Sequence, residues 1–98
     1  MKLPSTVKKL YAERIEKVIG LLENVDVSNQ EKMDELRDMA HGLAGVAGWF
    51  SENKIGEESR RMQLYIEEDL KNGNSSVEAA QVFNEYKELL KTSDYYNA

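Results

Sequence analysis

The sequence predicts an all-α fold: an antiparallel up-down four-helix bundle, one domain spanning residues 1–98. Three observations predict it. Apolar residues recur at steps of three and four through four successive stretches, which is the period of one helix face. No stretch alternates apolar and polar residues as a half-buried strand does. The links between stretches are short, and short links send neighbouring helices back antiparallel.

The first helix is expected from about residue 6 to 24, opened by Pro4 and Ser5. Val7, Tyr11, Ile15, Val18, Ile19, Leu22 and Val25 form its apolar stripe. Lys8, Lys9, Glu13, Glu16 and Lys17 lie mostly off that stripe, and Tyr11 reads as a core residue. Asp26 to Ser28 make a short link. Ser28, with Glu31 three residues later, fits the capping box of a second helix from about 29 to 50. Met33, Leu36, Met39, Ala40, Leu43, Val46, Ala47 and Phe50 share its inner side. Trp49 falls at the flank and reads as edge-of-core packing, with a contribution to a partner surface as the alternative.

Ser51 is the expected N-cap of a third helix over about 52–71, with Glu52 in the first turn, where a negative charge suits the dipole. Ile55, Ser59, Met62, Tyr65, Ile66 and Leu70 form its inner side. Gly73 ends it, and Asn72-Gly73-Asn74-Ser75 is the clearest turn in the chain. Ser76 caps a fourth helix over about 77–92, with Ala79, Val82, Phe83, Tyr86, Leu89 and Leu90 inward. Thr92 to Ala98 shows no period and is expected to fray.

Composition narrows the function. The formal net charge is −5, with acids and bases interspersed. Phosphate backbones need a basic face, so nucleic acid is not the expected ligand; a protein partner is. With no cysteine there is no disulfide framework and no thiol chemistry. One histidine and no cysteine leave no expected metal site, and no cofactor is expected. No apolar run is long enough to span a membrane and no signal pattern opens the chain, so a cytoplasmic protein is expected.

That histidine, His41, sits before three glycines, Gly42, Gly45 and Gly48, inside the second helix. Each interior glycine costs roughly 1 kcal/mol against alanine, so three of them call for a compensating use. His41 falls roughly 150° from the centre of the apolar side, at about 100° per residue. Its own face carries Asp34, Arg37, Asp38, Ala44, Gly45 and Gly48. The imidazole is therefore expected in solvent, above very small residues, on a convex surface with no pocket. Imidazole is a competent nucleophile near neutral pH. A partner's active site can reach it across such low ground. Gly42 lies toward the apolar side and reads as packing.

Other chemistry is poorly supported. There is no G-x-x-x-x-G-K-[ST] loop and no kinase-type glycine-rich loop. Glu57 with Glu58, and Glu67 with Glu68 and Asp69, read as solvated helix faces. No serine sits in an elbow motif beside His41. The chain does not read as an enzyme in its own right.

The segment Ala40-His41-Gly42-Leu43-Ala44-Gly45-Val46-Ala47-Gly48 resembles the signature of histidine-containing phosphotransfer domains. His41, Leu43, Gly45 and Gly48 match that pattern, and Ile55 matches its apolar position fourteen residues on. The family's common glycine ten residues after the histidine is Ser51 here. The resemblance implies a four-helix bundle that accepts a phosphoryl group on His41 and exchanges it with an aspartate of a response-regulator receiver domain. The receiver brings the aspartate and its magnesium ion; a sensor histidine kinase is a further partner. The resemblance makes Ala44, Gly45 and Gly48 the docking face. The family's frequent lysine is replaced by Ala44, and Arg37 and Lys54 are the candidates to steady the phosphoryl group instead. The alternative is a non-catalytic helical interaction module using the same face.

Overall fold

In the computed structural model, which describes residues 3–73 and 76–97, Pro4 stands just before the first helix with φ −59° and ψ 147°. Its carbonyl accepts the Lys8 amide, and α1 runs over Ser5–Glu23. Tyr11, Ile15, Val18, Ile19 and Leu22 of the expected stripe are buried, while Val7 at its start is partly exposed. Helix α2 spans Gln30–Val46 and tightens into a 3₁₀ turn over Ala47–Phe50. Helix α3 spans Asn53–Leu64 and widens into a π turn over Tyr65–Asp69. Helix α4 spans Ser76–Leu90. The described residues contain no strand, and the four helices pack as a bundle around one apolar core.

The inner faces of all four helices meet in that core. Leu36, Ala40 and Leu43 of α2 face Ile55 and Met62 of α3, with Phe83 and Leu90 from α4. Each fully buried Leu, Ile or Phe contributes about 1.5–3 kcal/mol. The buried polar groups are few. Ser59 Oγ and the Tyr86 hydroxyl lie 2.6 Å apart and tie α3 to α4. Helix α2 packs most extensively on α3. Gly56 permits that approach: a Cβ there would stand 3.4 Å from the Ala47 Cβ and 3.8 Å from the Ala44 carbonyl oxygen.

Three expectations about ends are corrected. Ser28 does not cap α2; Asn29 does, its Oδ1 accepting the Lys32 amide at 3.1 Å. The Ser28 hydroxyl and amide are spent on Asp26 Oδ1, at 2.6 and 3.0 Å, which also holds the Asp26 carboxyl below its ordinary range. Ser51 does not cap α3. It takes the left-handed conformation, φ 60°, and closes the preceding turn by donating its amide to the Gly48 carbonyl at 3.1 Å. The residue before α3 is Glu52, which makes no side-chain cap.

The segment after α4 does not fray within the described residues. Ser93 is buried, and its hydroxyl donates to Glu52 Oε1 at 2.7 Å. The Asp94 amide donates to Glu52 Oε2 at 3.0 Å. The Tyr95 ring meets Tyr11 and Phe50 edge-on, at 5.4 and 5.2 Å, over a Tyr11–Phe50 stack at 4.0 Å. Glu52 thus fastens the tail. Gly73 has φ 91°, as a helix-ending residue does. Asn74, Ser75 and the Ser76 side chain of the expected turn and cap lie outside the described residues, as does Ala98.

Candidate functional site

His41 is exposed on the outer face of α2. The helix places it there because Ala40 and Leu43 must point inward, which leaves position 41 outside. Its surroundings are not convex, as the sequence suggested, but an open groove of about 600 Å³ between α2 and α3. One wall is low: His41, Ala44, Gly45 and Gly48. The other is α3, contributing Asn53, Gly56, Glu57, Arg60, Gln63 and Leu64. The three predicted face residues, Ala44, Gly45 and Gly48, all line it with His41.

Neither glycine on the His41 wall, Gly45 or Gly48, is required by packing within the chain. A Cβ at Gly45 would meet nothing within 4 Å, and one at Gly48 only Asn53 Oδ1 at 3.5 Å. Gly42 differs, being partly buried beneath Arg14, whose Nη1 would lie 3.3 Å from an added Cβ.

The imidazole is held from across the groove. His41 Nδ1 lies 3.0 Å from Gln63 Oε1. The Gln63 amide nitrogen donates to Glu67 Oε1 at 3.2 Å. A carboxylate only accepts, so Glu67 fixes which end of the amide faces His41. An amide oxygen also only accepts, so Nδ1 must carry the proton. In the neutral ring Nε2 is then left with its lone pair free, on the side away from Gln63. The chain Glu67–Gln63–His41 selects one tautomer and one nucleophilic atom.

The predicted cations lie elsewhere. Arg37 donates to Asp34 at 3.3 Å and to Asp38 at 3.1 Å on its own helix, and does not line the groove. Lys54 lines two other depressions, one between α3 and α4 and one beside Ser51 and Tyr95. Arg60 is the arginine that shares the groove with His41. Sequence reasoning missed both Gln63 and Arg60. Two helices joined by a turn near residue 52 would set residue 41 against about residue 63, and that arithmetic was the available signal.

Trp49 is not at the edge of the core; it is 77% exposed. With exposed Leu10 and partly exposed Val7 it rims an apolar depression that also contains Arg14, Val46 and Gly45. Gly45 belongs to both concavities, so the apolar patch is continuous with the His41 groove.

Among the described residues no cluster of three or more His, Cys, Asp or Glu side chains is arranged to hold a metal ion, and no helix is long and apolar enough to cross a membrane. No family model, curated protein or solved structure matches the chain.

Proposed function

We propose that the protein is a histidine phosphotransfer module of a cytoplasmic phosphorelay, an antiparallel up-down bundle that carries a phosphoryl group on His41 Nε2. The observation that carries this reading is the Glu67–Gln63–His41 chain on an exposed, glycine-lined groove. A solitary structural histidine needs neither a fixed tautomer nor open ground around it.

The partner is a receiver domain bearing an aspartyl phosphate. The Nε2 lone pair attacks phosphorus in line with the leaving carboxylate oxygen. The P–O bond to the aspartate breaks as the P–N bond forms, and the aspartate departs as carboxylate. No proton has to move, because Nε2 carries none. The ring gains positive charge, and Gln63 Oε1 stabilises it by accepting from Nδ1–H. The protein supplies position and access and no ATP-dependent machinery. The Trp49–Leu10–Val7 patch extends the surface on which the receiver rests.

The test is His41→Gln against the wild type, each mixed with phosphoramidate or with a phosphorylated receiver. The wild type gains one acid-labile, base-stable phosphate, and the variant gains none with an unchanged circular dichroism spectrum. Phosphate on the variant, or none on the wild type, overturns the reading and leaves a non-catalytic docking module.

A further inference from the structure

Resting on that reading, we infer that Arg60 is the oxyanion-binding residue of the His41 groove: its guanidinium, projecting from α3, receives the phosphoryl oxygens while the group sits on Nε2. The ligand class is a tetrahedral phosphoryl oxyanion.

Three observations support it. The first is register. His41 pairs with Gln63, Gly56 lies against Ala44 and Ala47, and Gly48 lies against Asn53. Residue numbers rise along one helix as they fall along the other, which sets Arg60 across from the 41–44 turn of α2. The second is the supply of charge. The chain has four arginines. Arg37 is spent on Asp34 and Asp38, and Arg61 on Glu58, while Arg14 lies against Gly42 in the apolar depression and does not line this groove. Arg60 makes no ion pair among the described residues, although Glu57 lies one turn before it in the same groove. The third is space. Ala44, Gly45 and Gly48 leave the α2 side of the groove without bulk, so a guanidinium can approach a group on His41 unobstructed.

A planar guanidinium suits this task. It offers several N–H donors in a fixed fork that matches two oxygens of one phosphoryl group. Arg60 is exposed, so it keeps its hydration and freedom until the phosphoryl group arrives. Gln63 and Arg60 then divide the work. Gln63 holds the ring from the Nδ1 side, and Arg60 holds what is attached at Nε2. Glu57 opposes the anion, and Arg60 offsets it.

The experiment loads the protein with phosphoramidate, a donor that brings no protein surface of its own, and follows phosphohistidine by phosphorus NMR. Wild type, Arg60→Ala, Arg60→Lys and Lys54→Ala are compared, with imidazole nitrogen shifts recorded for each. Arg60→Ala is expected to load about tenfold to a hundredfold more slowly, less than the roughly hundredfold to thousandfold lost with a water-excluded oxyanion donor, because Arg60 is exposed. Arg60→Lys recovers part of the rate, Lys54→Ala stays within about twofold, and the His41 tautomer is the same in all four. If the wild type loads and Arg60→Ala loads equally fast, the inference falls and the carrier reading stands. If Arg60→Ala is slow but its tautomer has changed, Arg60 acts on the ring and the oxyanion role is overturned. If the wild type itself does not load, the carrier reading falls and takes this one with it.

Discussion

Gln63 Oε1 stands 3.0 Å from His41 Nδ1, across the groove and twenty-two residues further along the chain. That contact reaches past the local helix, and it decides which ring nitrogen is available. Gln63→Leu removes the acceptor while keeping bulk at a partly exposed position. We expect nitrogen NMR to show a single Nδ1–H tautomer in the wild type and a mixture in Gln63→Leu. The phosphoramidate loading rate should fall about tenfold to a hundredfold, as when other orienting partners of a histidine are removed. An unchanged tautomer and rate would show that the contact orients nothing.

Gly45 separates docking from folding. It lies in the last turn of α2, where the helix runs on into the 3₁₀ turn, with nothing within 4 Å of an added Cβ. Gly45→Ala should therefore stabilise the helix by about 1 kcal/mol. For a domain of this size that raises the thermal midpoint by about 4–8 °C. Gly45→Leu should also remain folded and load from phosphoramidate near the wild-type rate, because the groove stays open to a small donor. Transfer from a phosphorylated receiver should collapse, since the branched side chain stands where the partner must lie. Equal receiver transfer in Gly45→Leu and the wild type would remove the docking face from this side of α2.

The helices and most of their buried faces were legible in the sequence because periodicity sums weak preferences over many residues. Tyr11, Ile15, Leu36, Leu43, Ile55 and Phe83 are all inside, as their spacing requires. What was not legible depended on one contact outcompeting another. Asn29 caps α2 because Asp26 engages Ser28 first. The tail is anchored because Glu52 accepts from Ser93 and Asp94, more than forty residues away, and no local pattern encodes that. At the site, the exposure of His41 and the open ground of Gly45 and Gly48 followed from α2 alone. Gln63 and Arg60 did not, since they belong to α3 and become neighbours of His41 only through the helix pairing. Trp49 was misjudged for a related reason: the 3₁₀ turn over Ala47–Phe50 ends the α-helical phase on which its placement relied.

Ser51 predicts a stabilising substitution. Its φ of 60° is left-handed, where an L side chain crowds its own backbone and glycine does not. The turn nevertheless needs that conformation, because it lets Ser51 and Glu52 donate their amides to Gly48 and Ala47 before α3 starts. Ser51→Gly should raise stability by about 0.5–1 kcal/mol, relief of strain less the added freedom of the unfolded chain. The midpoint then climbs by a few degrees. Ser51→Ala keeps the Cβ and should give no gain. Chemical denaturation of the three proteins checks the order, and an alanine variant as stable as the glycine one would refute the strain argument.

Two buried tyrosines make the fold sensitive to alkali. Burial pushes the phenols of Tyr11 and Tyr86 well above their ordinary value of 10.0; the Glu52 carboxylate adds to the effect at Tyr11, while the Ser59 hydrogen bond partly opposes it at Tyr86. In the unfolded chain both ionise near 10, but in the native protein they hold their protons. Below pH 10 both states carry neutral phenols, so stability is full there. Above it the unfolded state alone releases protons, and stability drains as pH rises. The two residues differ in what their hydroxyls do. The Tyr11 hydroxyl lies near Glu52 outside hydrogen-bond geometry, so Tyr11→Phe should cost less than about 1 kcal/mol at neutral pH. Tyr86→Phe strands the buried Ser59 hydroxyl and should cost about 1–3 kcal/mol. Both variants should show a shallower loss of stability between pH 10 and 11.5 than the wild type, measured by urea unfolding at each pH. A wild-type curve that is flat across that interval would mean the phenols reach water in the native state, contrary to their burial.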